Sequence, residues 1–352
     1  MNQPYPWQTA LWERVWQQRG TLHHALLLYG KKGLGKLDFA RALAQALLCE
    51  NLAGGRFACG ACASCRWFAQ GSHPDFRLIE PEAAASGAVG ESGAGGADES
   101  ARPDKKAATQ ITVDQVRQLQ DFLTVTTHRQ GYRAIILNPA EAMNSFAANA
   151  LLKILEEPPP RTLFLLVAHQ PRRLLPTVLS RCRRLPVPPP VPAEAEAWLA
   201  AQGVEQGGLY LAQAGNAPLM AVEVSQPEYQ SERIKFLKQL SDPTAAGRVL
   251  EIAAAAQAVP MGNVIHWMSC WCHDLMMTKL AGRLRFNPDF AAALGKLASA
   301  IGNGELIALQ TQVANAVKAV NHPLNPRLFL EQLLLSYFHL VTPPEHGAHA
   351  GL

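Results

Sequence analysis

A glycine-rich loop at residues 30–37 constrains this chain more than any other feature. It reads Gly30-Lys31-Lys32-Gly33-Leu34-Gly35-Lys36-Leu37. The P-loop pattern requires Gly, four residues, Gly, Lys and then Ser or Thr, whose hydroxyl ligates the magnesium of a bound nucleotide. Leu37 has no oxygen to offer, so the loop is degenerate and we expect weak nucleotide binding at most. The residues left to hold a phosphate are Gly30, Gly33, Gly35 and Lys36.

The surrounding sequence has the alternating pattern that a P-loop needs. A buried apolar run, Ala25–Tyr29, leads into the loop, and a helical pattern follows it. Further apolar runs, separated by helical patterns at Val113–Leu123 and Ala142–Glu156, are Phe76–Ile79, Ala134–Leu137 and Leu163–Ala168. This alternation predicts an α/β domain with a parallel sheet, covered by helices on both faces.

The proline-rich stretch Pro186–Pro192 is the best domain boundary, because prolines are excluded from helix interiors and central strands. Helical patterns dominate beyond it to Leu340. We therefore predict a P-loop domain at 1–187, a small helical lid domain at 188–227, a helical collar domain at 228–341 and a flexible tail at 342–352. Residues 83–108 are mostly Ala, Gly, Ser and charged residues, which predicts a disordered surface insertion.

The sequence shows no targeting or membrane-spanning segment. The chain has neither an apolar run of about 20 residues nor a signal-peptide pattern at its start. We expect a cytoplasmic protein with no membrane partner, in which cysteines are reduced or bound to metal.

Four cysteines have the spacing C-x9-C-x2-C-x2-C, which is typical of a metal knuckle inserted after the P-loop helix. Four thiolates complete a closed tetrahedral zinc site with no position left for water, so the predicted role is structural. The bacterial iron–sulfur signature continues with three residues and then Cys-Pro, whereas this chain has Ala69-Gln70 there. Zinc is favoured, and an iron–sulfur cluster or free thiols remain the alternatives. The predicted ligands are Cys49, Cys59, Cys62 and Cys65.

A basic stretch follows the last predicted helix of the P-loop domain. No acidic residue occurs between Glu157 and Glu194. Such a patch attracts a polyanion, either a phosphate chain or a nucleotide held by a neighbour, and the alternative is a solvated basic face. Its arginines are Arg161, Arg172, Arg173, Arg181, Arg183 and Arg184.

A second ATPase requirement is unmet after the strand Ala134–Leu137. ATPases of this fold place a carboxylate there to hold magnesium and another to orient the attacking water. This chain has Asn138-Pro139 instead, and Glu141 lies two residues too far along. Together with Leu37, this predicts that the chain does not hydrolyse ATP by itself.

The segment Ala147–Pro159 is an amphipathic helix stopped by proline. It closely resembles the A-N-A-L-L-K-x-L-E-E-P-P signature of DNA clamp-loader ATPase subunits, which belong to the AAA+ class. Leu179–Cys182 resembles that family's Ser-Arg-Cys motif, and the cysteine knuckle is similar to that of bacterial clamp loaders. These motifs span Gly30 to Cys182, and the resemblance implies an AAA+ P-loop domain with a parallel five-stranded sheet. The inward residues of the helix are Ala148, Leu151, Leu152 and Leu155.

The resemblance separates two kinds of subunit. ATP-hydrolysing gamma/tau-type members carry Lys-Thr or Lys-Ser in the loop, Asp-Glu after the third strand and a nucleotide-sensing arginine where Pro218 stands here. With three departures and an intact Ser-Arg-Cys motif, the chain resembles the non-hydrolysing kind. The alternatives are a divergent ATP-hydrolysing gamma-type subunit and a zinc-dependent nucleic-acid-binding module.

The resemblance also implies a mechanism. Family members form a hetero-pentameric ring of gamma/tau, delta and related subunits, joined by a helical collar to which Leu324–Leu340 would contribute. The ring loads a sliding clamp onto primer–template DNA within the DNA-directed DNA polymerase (nucleotidyltransferase) holoenzyme. Arg181 would be an arginine finger that reaches the nucleotide of a neighbouring subunit. Ser180 and Cys182 would position it.

Overall fold

The computed structural model describes residues 3–52, 55–83, 109–124, 131–319 and 325–342. The chain divides into two compact units, Met1–Glu194 and Ala195–Leu352. The insertion predicted at 83–108 and the tail predicted at 342–352 lie, except for Ala83 and Thr342, outside the described residues. The division into P-loop, lid and collar domains stays a prediction. In the described part of the chain, no helix is both long enough and apolar enough to cross a bilayer.

A five-stranded parallel sheet forms the centre of the first unit, in the order β2-β3-β4-β1-β5. Leu27 of β1 lies opposite Leu166 of β4 on one side and Arg184 of β5 on the other, so the strand before the glycine loop is an interior strand. The strands are β1 (Ala25–Tyr29), β2 (Phe76–Ile79), β3 (Arg133–Leu137), β4 (Thr162–Ala168) and β5 (Arg183–Pro186).

The central strands are continuous apolar runs because helices cover the sheet. Alternate residues such as Leu27, Ile135 and Phe164 share a core with α4–α6, and α2 packs on β1, β3 and β4. The helices are α1 (Thr9–Gln17), α2 (Lys36–Leu48), α3 (Ala63–Ala69), α4 (Val113–Thr124), α5 (Ser145–Glu156) and α6 (Pro176–Ser180). The fold class expected from the sequence is confirmed.

Two elements differ from the sequence expectation. The helix predicted from Ala142 begins at Ser145, because the Asn144 side chain accepts a hydrogen bond from the Ala147 amide (2.8 Å) and caps it. Ala142 instead ends a short 3-10 turn. The sequence patterns also did not locate β5, which ends at Pro186. Proline is tolerated there because β5 is an edge strand, bonded only to β1 among the described strands.

The second unit is helical throughout its described part and has two separate cores. A small core joins Ala195, Leu199, Leu211 and Ala221. The larger core extends from Phe236 to Val341, and within it the buried Trp271 donates a hydrogen bond to Tyr337 Oη (2.9 Å). Its helices are α7 (Pro192–Ala201), α8 (Gly207–Gln213), α9 (Pro218–Val224), α10 (Pro227–Leu240), α11 (Val249–Ala256), α12 (Met261–Ala281), α13 (Ala291–Ala300), α14 (Asn303–Ala319) and α15 (Pro326–Val341).

Candidate functional site

The glycine loop joins β1 to α2 and needs glycine at two of its positions for steric reasons. Gly30 has φ 154°, and a Cβ there would lie 2.8 Å from the Val187 carbonyl oxygen. Gly35 has φ 75°, and its Cβ would lie 2.4 Å from the Tyr5 ring. Any side chain would displace backbone or ring atoms, so the cradle shape depends on these two residues.

The N-terminal segment closes one side of the loop. Gln8 is fully buried, and its amide group donates to the carbonyl oxygens of Leu34 (2.8 Å) and Gly35 (2.9 Å). Its own Oε1 accepts from the Tyr5 amide (3.1 Å), and Trp7 Nε1 adds a further bond to Leu34 O (3.2 Å). The chain therefore supplies internal partners that hold the loop in shape.

Lys36 is the residue that the P-loop pattern would place against a phosphate, and it lies in the interior, with 2% of its surface exposed. Its ammonium donates to the Lys31 carbonyl oxygen of the same loop. Burial lowers the pKa of Lys36 to about 8, and the nearby Glu141 carboxylate opposes that shift. A bound phosphate would have to draw this ammonium away from the loop carbonyl.

Glu141 lies near Lys36, although the sequence spacing placed it too far along the chain. Its Oε1 accepts hydrogen bonds from the backbone amides of His169 (2.8 Å) and Gln170 (2.9 Å), just after β4. Its Oε2 is buried with no hydrogen-bond partner among the described residues. Burial, with the Lys36 charge, lowers the pKa of His169 to about 4, so this imidazole is neutral at pH 7. No local sequence signal indicated that Glu141 lies beside Lys36 or that His169 is a neutral imidazole next to them.

The position expected to bind magnesium holds an amide. Asn138, directly after β3, donates from Nδ2 to Glu80 Oε1 (2.7 Å), and Glu80 follows the neighbouring strand β2. Asn138 Oδ1 is buried without a partner in the described part of the chain. An amide oxygen is a neutral ligand and Pro139 has no side-chain base, so this position lacks both carboxylate functions.

The four predicted metal ligands converge. All four sulfurs lie within 4.8 Å of one another, and the Cys49–Cys62 and Cys59–Cys65 sulfurs are each 4.0 Å apart. Sulfurs at about 2.3 Å from a tetrahedral zinc would be about 3.8 Å apart, so the donor set fits such an ion. Backbone amides of Ala61 and Cys62 lower the pKa of the Cys59 thiol to about 6, which favours the thiolate form.

The segment that carries the cysteine knuckle (residues 49–65) packs against α1. Trp16 Nε1 of α1 donates to the Gly55 carbonyl oxygen, and the Trp12 ring stacks on Phe57 with centroids 5.3 Å apart. This cluster can hold a metal ion such as zinc. The remaining cysteines, Cys182, Cys270 and Cys272, are buried elsewhere.

Arg181 lies directly after α6, on the surface of the first unit. Its Nη2 forms an ion pair with Glu156 Oε1 (2.5 Å), and its Nη1 donates to the Thr177 carbonyl oxygen (3.1 Å). The Arg181 side chain is 35% exposed. Ser180 Oγ also donates to Thr177 O (2.9 Å), whereas Cys182 packs into the sheet core. Burial raises the pKa of the Cys182 thiol to about 11, so this thiol is protonated at neutral pH.

The other residues singled out in the sequence are placed as follows. The five further arginines of the basic stretch are exposed. Leu37 is half-buried at the start of α2. Pro218 belongs to the second unit, where it is buried as the first residue of α9.

Comparison with known proteins gives a consistent set of matches. The family model described as "DNA polymerase III, delta subunit" matches residues 8–190, and that described as "DNA polymerase III, delta subunit, C terminal" matches residues 227–338. DNA polymerase III subunit delta' of Pseudomonas aeruginosa is 34% identical over 96% of this chain and 98% of its own length.

Two further matches are more distant. DNA polymerase III subunit tau of Escherichia coli is 34% identical over 46% of this chain and 21% of its own length. The crystal structure of a DNA polymerase III gamma subunit-related protein from Thermotoga maritima aligns with a TM-score of 0.37 at 16% identity. That alignment covers 94% of this chain and 99% of the other.

Proposed function

The chain belongs to the DNA polymerase III delta' subunit family, and we propose that it is a non-hydrolysing clamp-loader subunit that completes a neighbour's ATPase site. The observation that carries the proposal is Arg181, partly exposed directly after α6 in a chain that has Leu37 and Asn138 where magnesium ligands are expected. An arginine donated across an interface stabilises charge on the transferring phosphoryl group.

Three features support the absence of hydrolysis in this chain. Leu37 lacks the hydroxyl that ligates magnesium, and Asn138 carries no charge where a carboxylate is needed. Glu141, whose carboxylate acts on Lys36, has one oxygen engaged by the His169 and Gln170 amides. Its negative charge beside Lys36 also opposes phosphate binding. We therefore expect nucleotide affinity at this loop to be weak.

The proposed partners are gamma/tau-type and delta-type subunits in a hetero-pentameric ring. The sliding clamp and primer–template DNA would be bound through the assembled complex. The proposed collar surface, Leu324–Leu340, largely coincides with α15, whose exposed Leu328 and Leu335 are suited to a helix–helix interface.

The decisive experiment is reconstitution with gamma/tau-type, delta-type and clamp partners. Arg181→Ala should assemble normally while the site it serves loses about 10³-fold or more in turnover. DNA-stimulated ATP hydrolysis of the whole complex should fall by that site's share. Arg172→Ala, which removes an exposed arginine from the same basic stretch, should leave the rate unchanged. An unchanged rate of ATP hydrolysis with Arg181→Ala would show that Arg181 is not an arginine finger.

The divergent-ATPase alternative is tested on the isolated chain. It requires ATP turnover above background that Lys36→Ala abolishes. We expect background rates from both proteins, because the metal ligands are missing irrespective of Lys36.

We propose further that the cysteine knuckle holds structural zinc. Elemental analysis should find one zinc per chain. Cys59→Ser should lower the unfolding temperature, while any DNA affinity of the variant that remains folded should be unchanged. DNA affinity lost in a variant with an unchanged unfolding temperature would favour the zinc-dependent nucleic-acid-binding module instead.

A further inference from the structure

Two motifs that are separate in the sequence meet in one ion pair. Glu156 belongs to the Leu-Glu-Glu-Pro-Pro segment that ends α5, and Arg181 belongs to the Ser-Arg-Cys segment that follows α6. They are 25 residues apart, and Nη2 of the arginine lies 2.5 Å from Oε1 of the glutamate. The adjacent acid, Glu157, is exposed and forms no ion pair with a described residue.

The backbone at both ends of this pair is held in place. Glu156 is the last residue of α5, because the prolines at 158 and 159 do not allow the helix to continue. Helices α5 and α6 pack together, and Leu155 and Val178, beside the two motifs, are buried in the same core. The ion pair therefore joins two fixed points of the domain.

The pair leaves the arginine able to bind a second anion. A guanidinium has five N–H donors. Glu156 takes one donor from Nη2 and the Thr177 carbonyl takes one from Nη1, so about three remain for another acceptor. A phosphoryl oxygen from a neighbouring subunit can bind these donors without displacing Glu156.

We propose that Glu156 is a positioning residue that orients the Arg181 guanidinium toward the neighbour's phosphates. This inference rests on the proposed function of Arg181. A long exposed arginine samples many rotamers, whereas the two bonds to Glu156 and Thr177 hold its planar group in one orientation before the neighbour arrives. Glu156 touches no substrate and acts only through Arg181.

The test uses the reconstituted complex with Glu156→Ala, and Glu157→Ala as its matched control. Misplacing a reacting group by about 1 Å costs on the order of 10²-fold. The site served by Arg181 should therefore contribute almost nothing with Glu156→Ala, and the drop in total DNA-stimulated kcat should approach that of Arg181→Ala. The KM for ATP should stay within about 2-fold, because Arg181 acts in the transition state.

Two further variants separate positioning from a structural role. Glu156→Gln keeps a hydrogen-bond acceptor and should recover part of the lost kcat. In the Arg181→Ala background, Glu156→Ala should have no additional effect, because its contribution passes through the arginine. A structural role predicts instead a further loss in the double variant, and that result would overturn the inference.

The remaining outcomes are also decisive. If Arg181→Ala lowers hydrolysis and Glu156→Ala leaves it unchanged or raises it, the positioning role is wrong while the proposed function stands. If neither variant changes hydrolysis, the proposed function itself fails.

Discussion

The glycine-loop region and the Arg181 region belong to the same domain but use their charged groups in opposite ways. At the loop, Lys36 is buried and bonded to its own loop, and Glu141 caps the backbone after β4. At the end of α6, Arg181 and Glu156 are both partly exposed and bonded to each other. The first arrangement bonds charged side chains to the backbone inside the domain, and the second leaves donors facing outward.

Substitutions in the two regions should therefore differ in what they change, the free energy of unfolding at the loop and the orientation of a side chain at Arg181. Polar groups in the loop region are desolvated, so a substitution that removes one of their hydrogen-bond partners lowers the free energy of unfolding. Groups at Arg181 are solvated, so an ion pair there adds little to stability and its value lies in orientation. Under the proposed function, a fold that lacks residues for its own hydrolysis keeps its shape and presents a catalytic group at its surface.

The largest effect on stability should come from Gln8→Ala. This change leaves the Gly35 carbonyl and the Tyr5 amide without their Gln8 partners. The free energy of unfolding should fall by about 2–4 kcal/mol, measured by chemical denaturation. Gln17→Ala, at an exposed position of α1, is the control and should change it by less than about 0.5 kcal/mol. Equal effects of the two variants would mean that the segment does not hold the loop.

A smaller effect should appear with His169→Gln in acid. The folded pKa of His169, about 4, lies below its usual 6.5, so the unfolded chain binds the proton first as pH falls. The free energy of unfolding is thus constant with respect to this group above about pH 6.5 and decreases as the pH falls from about 6.5 to 4. His169→Gln should remove about 1–2 kcal/mol of this pH dependence, the value being discounted for partial exposure.

Denaturation curves at several pH values measure the His169 effect. His339→Gln, at an exposed histidine of α15, is the control and should leave the pH dependence unaltered. A wild-type slope that persists in His169→Gln would assign the acid sensitivity to other groups.

The exposed pair should have still less influence on stability. Arg181→Ala and Glu156→Ala should each change the free energy of unfolding by less than about 0.5 kcal/mol, because exposed ion pairs are weak. Chemical denaturation measures this directly. A loss of about 2 kcal/mol or more would mean that the pair is part of the folded framework and would remove the contrast between the two regions.

The smallest effect is expected from Leu37→Thr. It restores the hydroxyl of the P-loop pattern but leaves Asn138 and Pro139 in place of the two carboxylates. ATP turnover by the isolated variant should stay at background in a steady-state assay. Turnover that depends on Lys36 would show that Leu37 alone silences this loop.

Much of the domain was predictable because its signals are local. Glycines at fixed spacing, apolar runs and cysteine pairs each arise within a few residues, so β1, β3, β4 and the cysteine cluster follow from pattern alone. The start of α5 was misplaced by three residues, since the Asn144 cap was not recognised. The edge strand β5 was not located because exposed arginines interrupt its apolar pattern.

The sequence by itself determined that Leu37 stands where the P-loop pattern has a hydroxyl and that four cysteines can share one ion, because residue identity and spacing suffice for both. Only the tertiary structure decided that Gln8 closes the loop, that Glu141 lies beside Lys36 and that Glu156 holds Arg181. These contacts join residues from different elements, and no periodic pattern encodes them. The departure of the loop from the P-loop pattern is thus evident from the sequence, while the contact that orients Arg181 comes from the packing of α5 against α6.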